Sequence, residues 1–300
     1  MDYLDYFGLR EPPFGITPDT SFFCSHQSID EALNTLHFAV ATGEGFIKIT
    51  GEVGTGKTLL CRRFLATLPA GCVAAYIPNP NASPRSLLAM LAMELGCKFG
   101  RDAKPEYRFL ESISQRLIEV AINERLLEIA DQGGRVVVCI DEAQAMPIAT
   151  LESIRLLSNL ETEKRKLVQV ILFGQPELDE KLSRPEIRQL RQRITFEYAL
   201  DPLTREDVSH SLSHRLVVAG YAGGGLFSGP AARAIYRASR GIPRLVNILA
   251  HKTMLLAYGR GRRAVCWRDA RAAVRDTPSA WRSSWFRFGS TAAIGLCAMA

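Results

Sequence analysis

The residues whose types and spacing best suit chemistry are Gly51-Glu52-Val53-Gly54-Thr55-Gly56-Lys57-Thr58. They fit the phosphate-cradling pattern of two glycines separated by four residues and followed by Lys and Ser/Thr. A loop that turns its backbone N–H groups inward needs φ values that side chains disfavour, and Gly51, Gly54 and Gly56 supply that freedom. A helix opening near Gly56 adds unpaired N–H groups and the positive end of its dipole. Lys57 brings a full charge to the β- and γ-phosphates, and Thr58 offers a hydroxyl to Mg²⁺. The run therefore predicts a bound nucleoside triphosphate. The bland reading, a glycine turn between strand and helix, is disfavoured by the rarity of the pattern.

A second chemical group follows about ninety residues on, in Arg135-Val136-Val137-Val138-Cys139-Ile140-Asp141-Glu142. Asp141, at the carboxyl end of an apolar run, sits where open α/β sheets bind ligands and can hold Mg²⁺ through water. Glu142 can orient and polarise an attacking water. The bland alternatives are a helix cap for Asp141 and a surface position for Glu142. Gln175, in Gly174-Gln175-Pro176, either senses the γ-phosphate or performs ordinary turn chemistry. Arg188, Arg191 and Arg193 cannot all be buried unpaired, so some face solvent or another subunit. Arg244, just after Gly241-Ile242-Pro243, projects from the first turn of a helix and can reach a triphosphate from a second domain. His210 and His214 have a metal-compatible spacing but no third ligand, and are read as ordinary surface or core histidines.

The elements that must position these groups are legible from periodicity and breakers. Phe46 to Thr50 reads as a buried strand and Leu59 to Leu68 as a helix, so strand, loop and helix arrive in the required order. A helix from Ile29 to Thr42 precedes them. Cys72 to Ile77 reads as a second strand, and Ser83 caps a helix with Pro84 at its first position and Gly96 beyond its end. Glu106 to Asp131 is a long helical region closed by Gly133-Gly134. Arg135 to Ile140 and Val168 to Phe173 suit strands buried on both faces of a parallel sheet. Leu151 to Leu160 is amphipathic, and Glu161 to Lys166 reads as a solvated turn. Ile194 to Leu200 is the last strand. Past Pro202 the pattern is helical: Arg205 to Ala219, Pro230 to Ser239, Pro243 to Tyr258 and Trp267 to Arg275.

Composition sets the outer bounds. With 47% hydrophobic and 23% charged residues in 300, the chain can bury a core and is not disordered. Seven scattered cysteines with no C-x-x-C pair argue against a disulfide framework or a zinc site and for a reducing cytosol. The aromatic, acidic N-terminus lacks the pattern of a signal peptide, so a cytoplasmic location is expected. Tyr3, Tyr6, Phe7, Phe14, Phe22 and Phe23 must pack on either a nucleotide base or the domain core. Arginines crowd the stretch from Arg260 to Arg287; they suggest a polyanionic neighbour, nucleic acid or an anionic membrane face, while composition alone favours a solvated basic helix. Phe288 to Ala300 is uncharged and mostly apolar, yet too short to cross a hydrocarbon core of about 30 Å by itself.

In that order, these motifs resemble the AAA+ ATPases. The resemblance narrows on Tyr6-Phe7-Gly8-Leu9-Arg10-Glu11-Pro12-Pro13-Phe14, on Asp141-Glu142-Ala143-Gln144, on Phe173-Gly174-Gln175-Pro176-Glu177-Leu178 and on Ser239-Arg240-Gly241-Ile242-Pro243-Arg244. With the glycine loop, these are similar to the ExeA/GspA secretion ATPases, including pilus-biogenesis members of the MSHA type. The resemblance implies an α/β P-loop domain over residues 31–201, reached through an N-terminal linker (1–30) that packs near the nucleotide. A small all-α lid (202–277) and a basic, apolar tail (278–300) that is a candidate membrane-associated segment complete the chain. It implies ATP and Mg²⁺ as cofactors, with Gln175 as sensor, Arg244 as second sensor, and Arg193, with Arg191 or Arg188, as a finger acting on a neighbouring subunit. A homo-oligomer is then required. The implied partners are pilus or secretion assembly proteins at the inner membrane and an anionic membrane surface, with nucleic acid less favoured. The function expected is an ATPase that assembles a type IV pilus or a type II secretion-like machine. A DNA-binding regulator of the transposition or replication type and a slow ATP-dependent switch remain the competing readings.

Overall fold

The structure, a computed structural model, describes residues 2–17, 19–99, 113–157, 161–162 and 165–280. In chain order its elements begin with α1 (Tyr3–Phe7), α2 (Gln27–Thr42), β1 (Phe46–Thr50), α3 (Lys57–Ala66), β2 (Cys72–Ile77) and α4 (Pro84–Glu94). They continue with α5 (Gln115–Asp131), β3 (Arg135–Ile140), α6 (Ile148–Leu157), β4 (Glu161–Thr162), β5 (Arg165–Lys166), β6 (Val168–Gly174), α7 (Glu177–Leu182), α8 (Arg188–Arg191) and β7 (Ile194–Ala199). The last four helices are α9 (Arg205–Val218), α10 (Gly229–Ser239), α11 (Pro243–Gly259) and α12 (Trp267–Arg275). Two compact units result, one of Gln27–Glu52 with Lys57–Leu200, the other of Met1–His26, Val53–Gly56 and Asp201–Ala300.

The first unit is built on a five-stranded sheet in the order β2-β3-β6-β1-β7, parallel throughout. Runs such as Val136 to Ile140 and Val168 to Phe173 carry no polar alternation apart from Gln169, because β3 and β6 are covered on both faces. β7 alternates between partly buried and exposed positions, as suits an edge strand. Register brings Thr50 opposite Gly174 and Ile140 opposite Leu172. The residues just past these strand ends, Gly51, Asp141 and Gln175, therefore share one edge of the sheet. Helices α4 and α5 join the core through Leu87, Leu91, Ile118 and Leu126. Ser83 caps α4 by accepting from the Ser86 N–H at 3.2 Å, a contact of about 1 kcal/mol.

The second unit is helical. Its core gathers Val208, Leu212, Leu249 and Met254 with Phe7, Phe14 and Phe22 of the N-terminal segment. Arg215 fixes that segment, donating from Nε to the Pro13 carbonyl at 2.8 Å, while Arg10 N–H donates to Ala219 O at 2.8 Å. A reciprocal cap between Thr204 and Asp207 starts α9.

Some element bounds differ from those read in the sequence. α1 forms within the N-terminal segment, and α2 begins at Gln27, two residues before the expected Ile29. α3 starts at Lys57, where the helix opening near Gly56 is expected, because the loop runs directly into its first turn. Within the stretch read as a solvated turn, β4 and β5 pair as an antiparallel ribbon, Glu161 opposite Lys166 and Thr162 opposite Arg165. The region expected to be helical from Glu106 contains α5, which opens at Gln115 under a Ser114 cap, and 106–112 lie outside the described residues. The apolar stretch from Phe288 also lies outside them. Among the described residues, no helix is long and apolar enough to cross a membrane and no group of three metal-ligating side chains forms, His210 and His214 included.

Candidate nucleotide site

The site begins where β1 gives way to the loop. Gly51 N–H donates to Gly174 O at 3.2 Å, tying the loop's entry to the neighbouring strand. Gly54 and Gly56 take φ of +84° and +102°, values that a Cβ disfavours, whereas Gly51 does not. Glu52 and Val53 are exposed and Thr55 is buried. Lys57 is 5% exposed, and its Nζ donates to the carbonyls of Gly51 at 2.7 Å and Glu52 at 3.0 Å. Burial pushes its pKa down, while Glu142, Asp141, Glu52 and Glu177 oppose that shift.

Thr58 Oγ1, one residue on, donates to Asp141 Oδ2 at 2.6 Å. The start of α3 and the end of β3 thus present a hydroxyl and a buried carboxylate to one point. This is a hard, all-oxygen donor pair of the kind that holds Mg²⁺. Asp141 also accepts from Tyr76 Oη at 3.4 Å and from the Glu142 N–H at 2.9 Å. It does not cap the following helical turn, which has no side-chain cap. Burial, followed by the Asp141 charge, pushes the Tyr76 phenol up to about 12, so it stays a donor.

Glu142 adopts a left-handed backbone at φ +53°, a conformation that costs a non-glycine residue about 1–2 kcal/mol. Its Oε2 accepts from Gln144 Nε2 at 2.5 Å and from Gln175 Nε2 at 3.0 Å. Gln144 Oε1 in turn accepts from the Gln175 N–H at 3.0 Å, and Lys181 Nζ donates to the Gln144 carbonyl. The two glutamines and Glu142 form one small network at the carboxyl edge of the sheet. Sequence reasoning placed Glu142 and Gln175 but missed Gln144 and Tyr76 as members of the site. The signal for Gln144 was its place two residues past Glu142, while Tyr76 sits one residue before the end of β2 and carried no signal.

The expected arginines are not gathered at this point of the sheet unit. Arg188 and Arg191 are exposed on α8, and Arg193 is partly buried just past the helix, its N–H donating to Leu190 O at 3.0 Å. In the other unit Arg244 is exposed on the first turn of α11, and its backbone N–H donates to Gly54 O at 3.1 Å. A Cβ at Gly54 would come within 2.7 Å of Arg244 Cβ, so glycine is required there by space as well as by φ.

A family model described as an AAA domain matches residues 40–182. Over 274 residues, 91% of its length, the chain is 40% identical to General secretion pathway protein A from Aeromonas hydrophila, of which it spans 48%. Cdc6p from Pyrobaculum aerophilum superposes with a TM-score of 0.64 at 18% identity, over 86% of this chain and 70% of that one. ORC2 from Aeropyrum pernix, in ADPNP–ADP complexes, gives 0.60 at 14%, over 87% and 72%. Identities this low establish a shared fold alone. Residues 40–182 thus match an AAA domain built on a parallel-sheet P-loop fold, and most of the chain is similar to a general secretion pathway protein A, about half of whose length it spans.

Proposed function

We propose that this chain binds ATP with Mg²⁺, hydrolyses it, and uses the cycle to assemble a type II secretion-like machine or, more finely, an MSHA-type pilus, as its motif resemblance to pilus-biogenesis members of that type suggests. The observation that carries this reading is the 2.6 Å contact between Thr58 Oγ1 and Asp141 Oδ2, with Lys57 held beside it on the loop carbonyls. Thr58 and Asp141 would hold Mg²⁺, which would supply neutralisation of the phosphate charge. Lys57 moves from its carbonyl partners to the phosphates, adding positive charge where negative charge spreads in the transition state. Glu142, aligned by two amide donors, accepts a hydrogen bond from the attacking water and orients it toward phosphorus. Gln175 links that carboxylate to the γ-phosphate position. Arg244 serves as a second sensor and Arg193 as a finger in a neighbouring copy, which makes a homo-oligomer part of the proposal. Support for a secretion partner comes from the general secretion pathway relative, and the pilus reading rests on the motif resemblance alone.

Purified protein should release phosphate from ATP in a magnesium-dependent way. Glu142→Gln should retain ATP and stop release, and unchanged hydrolysis by that variant would remove Glu142 from the mechanism.

A further inference from the structure

Two buried thiols that the hydrolysis scheme does not use lie beneath the contact between Thr58 and Asp141. Side chains alternate along β3, so Val136, Val138 and Ile140 enter the core shared with α4 and α5, while Cys139 and Asp141 share the opposite face. That face meets α3, because Asp141 accepts from Thr58 there. Cys61 stands three residues past Thr58, one turn deeper on the same side of the helix. Cys139 stands two residues before Asp141, one step deeper on the same side of the strand. The two steps, roughly 4.5 Å along the helix and roughly 7 Å along the strand, both run away from the site into the fold. They bring the sulfurs together: both cysteines are fully buried, and their thiols share a hydrogen bond.

We propose that Cys61 and Cys139 form a redox modification site, at which an oxidant of the peroxide class joins them as a disulfide and arrests the nucleotide site above. One sulfur attacks a peroxide oxygen, the O–O bond breaks, and the thiol proton leaves with the departing oxygen as water, which gives a sulfenic acid. The second sulfur then attacks the first, the S–O bond breaks, and a second water carries off the remaining thiol proton. Two thiols are thereby oxidised and one peroxide is reduced. Contact with Cys139, then burial, pushes the Cys61 thiol up, which keeps thiolate scarce, so the pair responds to sustained oxidant rather than to traces.

The new bond ties α3 to β3 one layer below Thr58 and Asp141. Drawing the sulfurs within bonding distance shifts the first turn of the helix against the end of the strand. A displacement of about 1 Å at a reacting centre costs about a hundred-fold in rate. This effect on turnover rests on the proposed ATPase reading, whereas formation of the bond does not.

The test treats the full chain with hydrogen peroxide, alkylates the remaining thiols, and reads a digest made without reductant by mass spectrometry. A peptide pair joined through Cys61 and Cys139 is expected, lighter by two hydrogens than the separate peptides. Phosphate release from ATP should fall about a hundred-fold and return with dithiothreitol. Cys61→Ala and Cys139→Val, checked for folding by circular dichroism, should hydrolyse ATP as the untreated wild type does and keep that rate after peroxide. Separate alkylation of both cysteines in the treated wild type would overturn the proposal. So would a joined pair with undiminished release, or a reversible loss that persists in both variants. The joined peptides are read whether or not ATP is hydrolysed, so untreated protein without phosphate release would count against the proposed function alone. The effect on the site is then read as weakened binding of Mg²⁺ and ATP, and unchanged binding by the joined form would overturn the proposal.

Discussion

Gly241→Ala tests whether the turn that presents Arg244 is dictated by local geometry. Gly241 has φ +76°, and its carbonyl accepts from the Leu203 N–H at 2.9 Å. An added Cβ would lie 2.0 Å from Leu203 O, with the Leu203 backbone N and C at 3.0 Å. The left-handed conformation costs alanine about 1–2 kcal/mol. Relieving the overlap requires moving backbone by roughly 1 Å, at about 1–3 kcal/mol for overpacking, and sacrifices a hydrogen bond worth about 1 kcal/mol. The sum is about 3–6 kcal/mol. Gly8→Ala is the control, since Gly8 has φ +69° but nothing within 4 Å of the added carbon. Only the conformational cost of about 1–2 kcal/mol applies to it. Thermal unfolding followed by far-UV circular dichroism should put Gly241→Ala about 10 °C below Gly8→Ala, taking about 2–4 °C per kcal/mol. Equal melting temperatures would show that the Leu203 contact relaxes freely, and would refute the claim that this turn is sterically fixed.

Two further outcomes follow from the described contacts. Gln144→Ala removes one donor to the Glu142 carboxylate and leaves the Gln175 N–H without its acceptor, so turnover should fall about ten- to a hundred-fold with nucleotide affinity retained. Steady-state hydrolysis beside a binding titration checks this, and an unchanged rate would deny Gln144 a positioning role. Burial holds the His214 and His251 imidazoles below the ordinary value of about 6.5, with His210 and Arg215 adding to the effect at His214. The fold favours both neutral, so the stability they contribute is present above pH about 6.5 and lost as pH falls through their folded values. Melting temperature should drop between pH 7.5 and 5.5 by less in His214→Gln than in the wild type, and an equal drop would exclude His214 from this effect.

The sheet was legible because its strands bear a signal that tertiary context does not modify. Val136 to Ile140 and Val168 to Phe173 are apolar runs too short for helices, and the glycine loop and Asp141 stand at strand ends that a parallel sheet must align. Caps were equally local, as at Ser83 and Pro84. What escaped depended on partners far along the chain. The choice for Phe7, Phe14 and Phe22 between core and ligand was settled only by the helices that bury them. Arg260 and Arg262 looked like free charge until Asp269 claimed them within the fold. Gln144 looked like one more polar residue in a turn, because its two bonds reach a neighbour at 142 and a strand end at 175. The left-handed backbone of Glu142 carries no sequence mark at all, since glutamate is not a residue that seeks it.

The central claim is that a magnesium–triphosphate complex sits between the glycine loop and the carboxyl end of β3. Isothermal calorimetry with Mg²⁺ and ATP on Glu142→Gln protein tests it most directly, with Lys57→Ala added to that background as the partner measurement. The account predicts saturable heat of binding in the first, a loss of at least ten-fold in affinity in the second, and weakening of the first when Mg²⁺ is withdrawn. No binding by the folded Glu142→Gln protein, or affinity unchanged by Lys57→Ala, would contradict it.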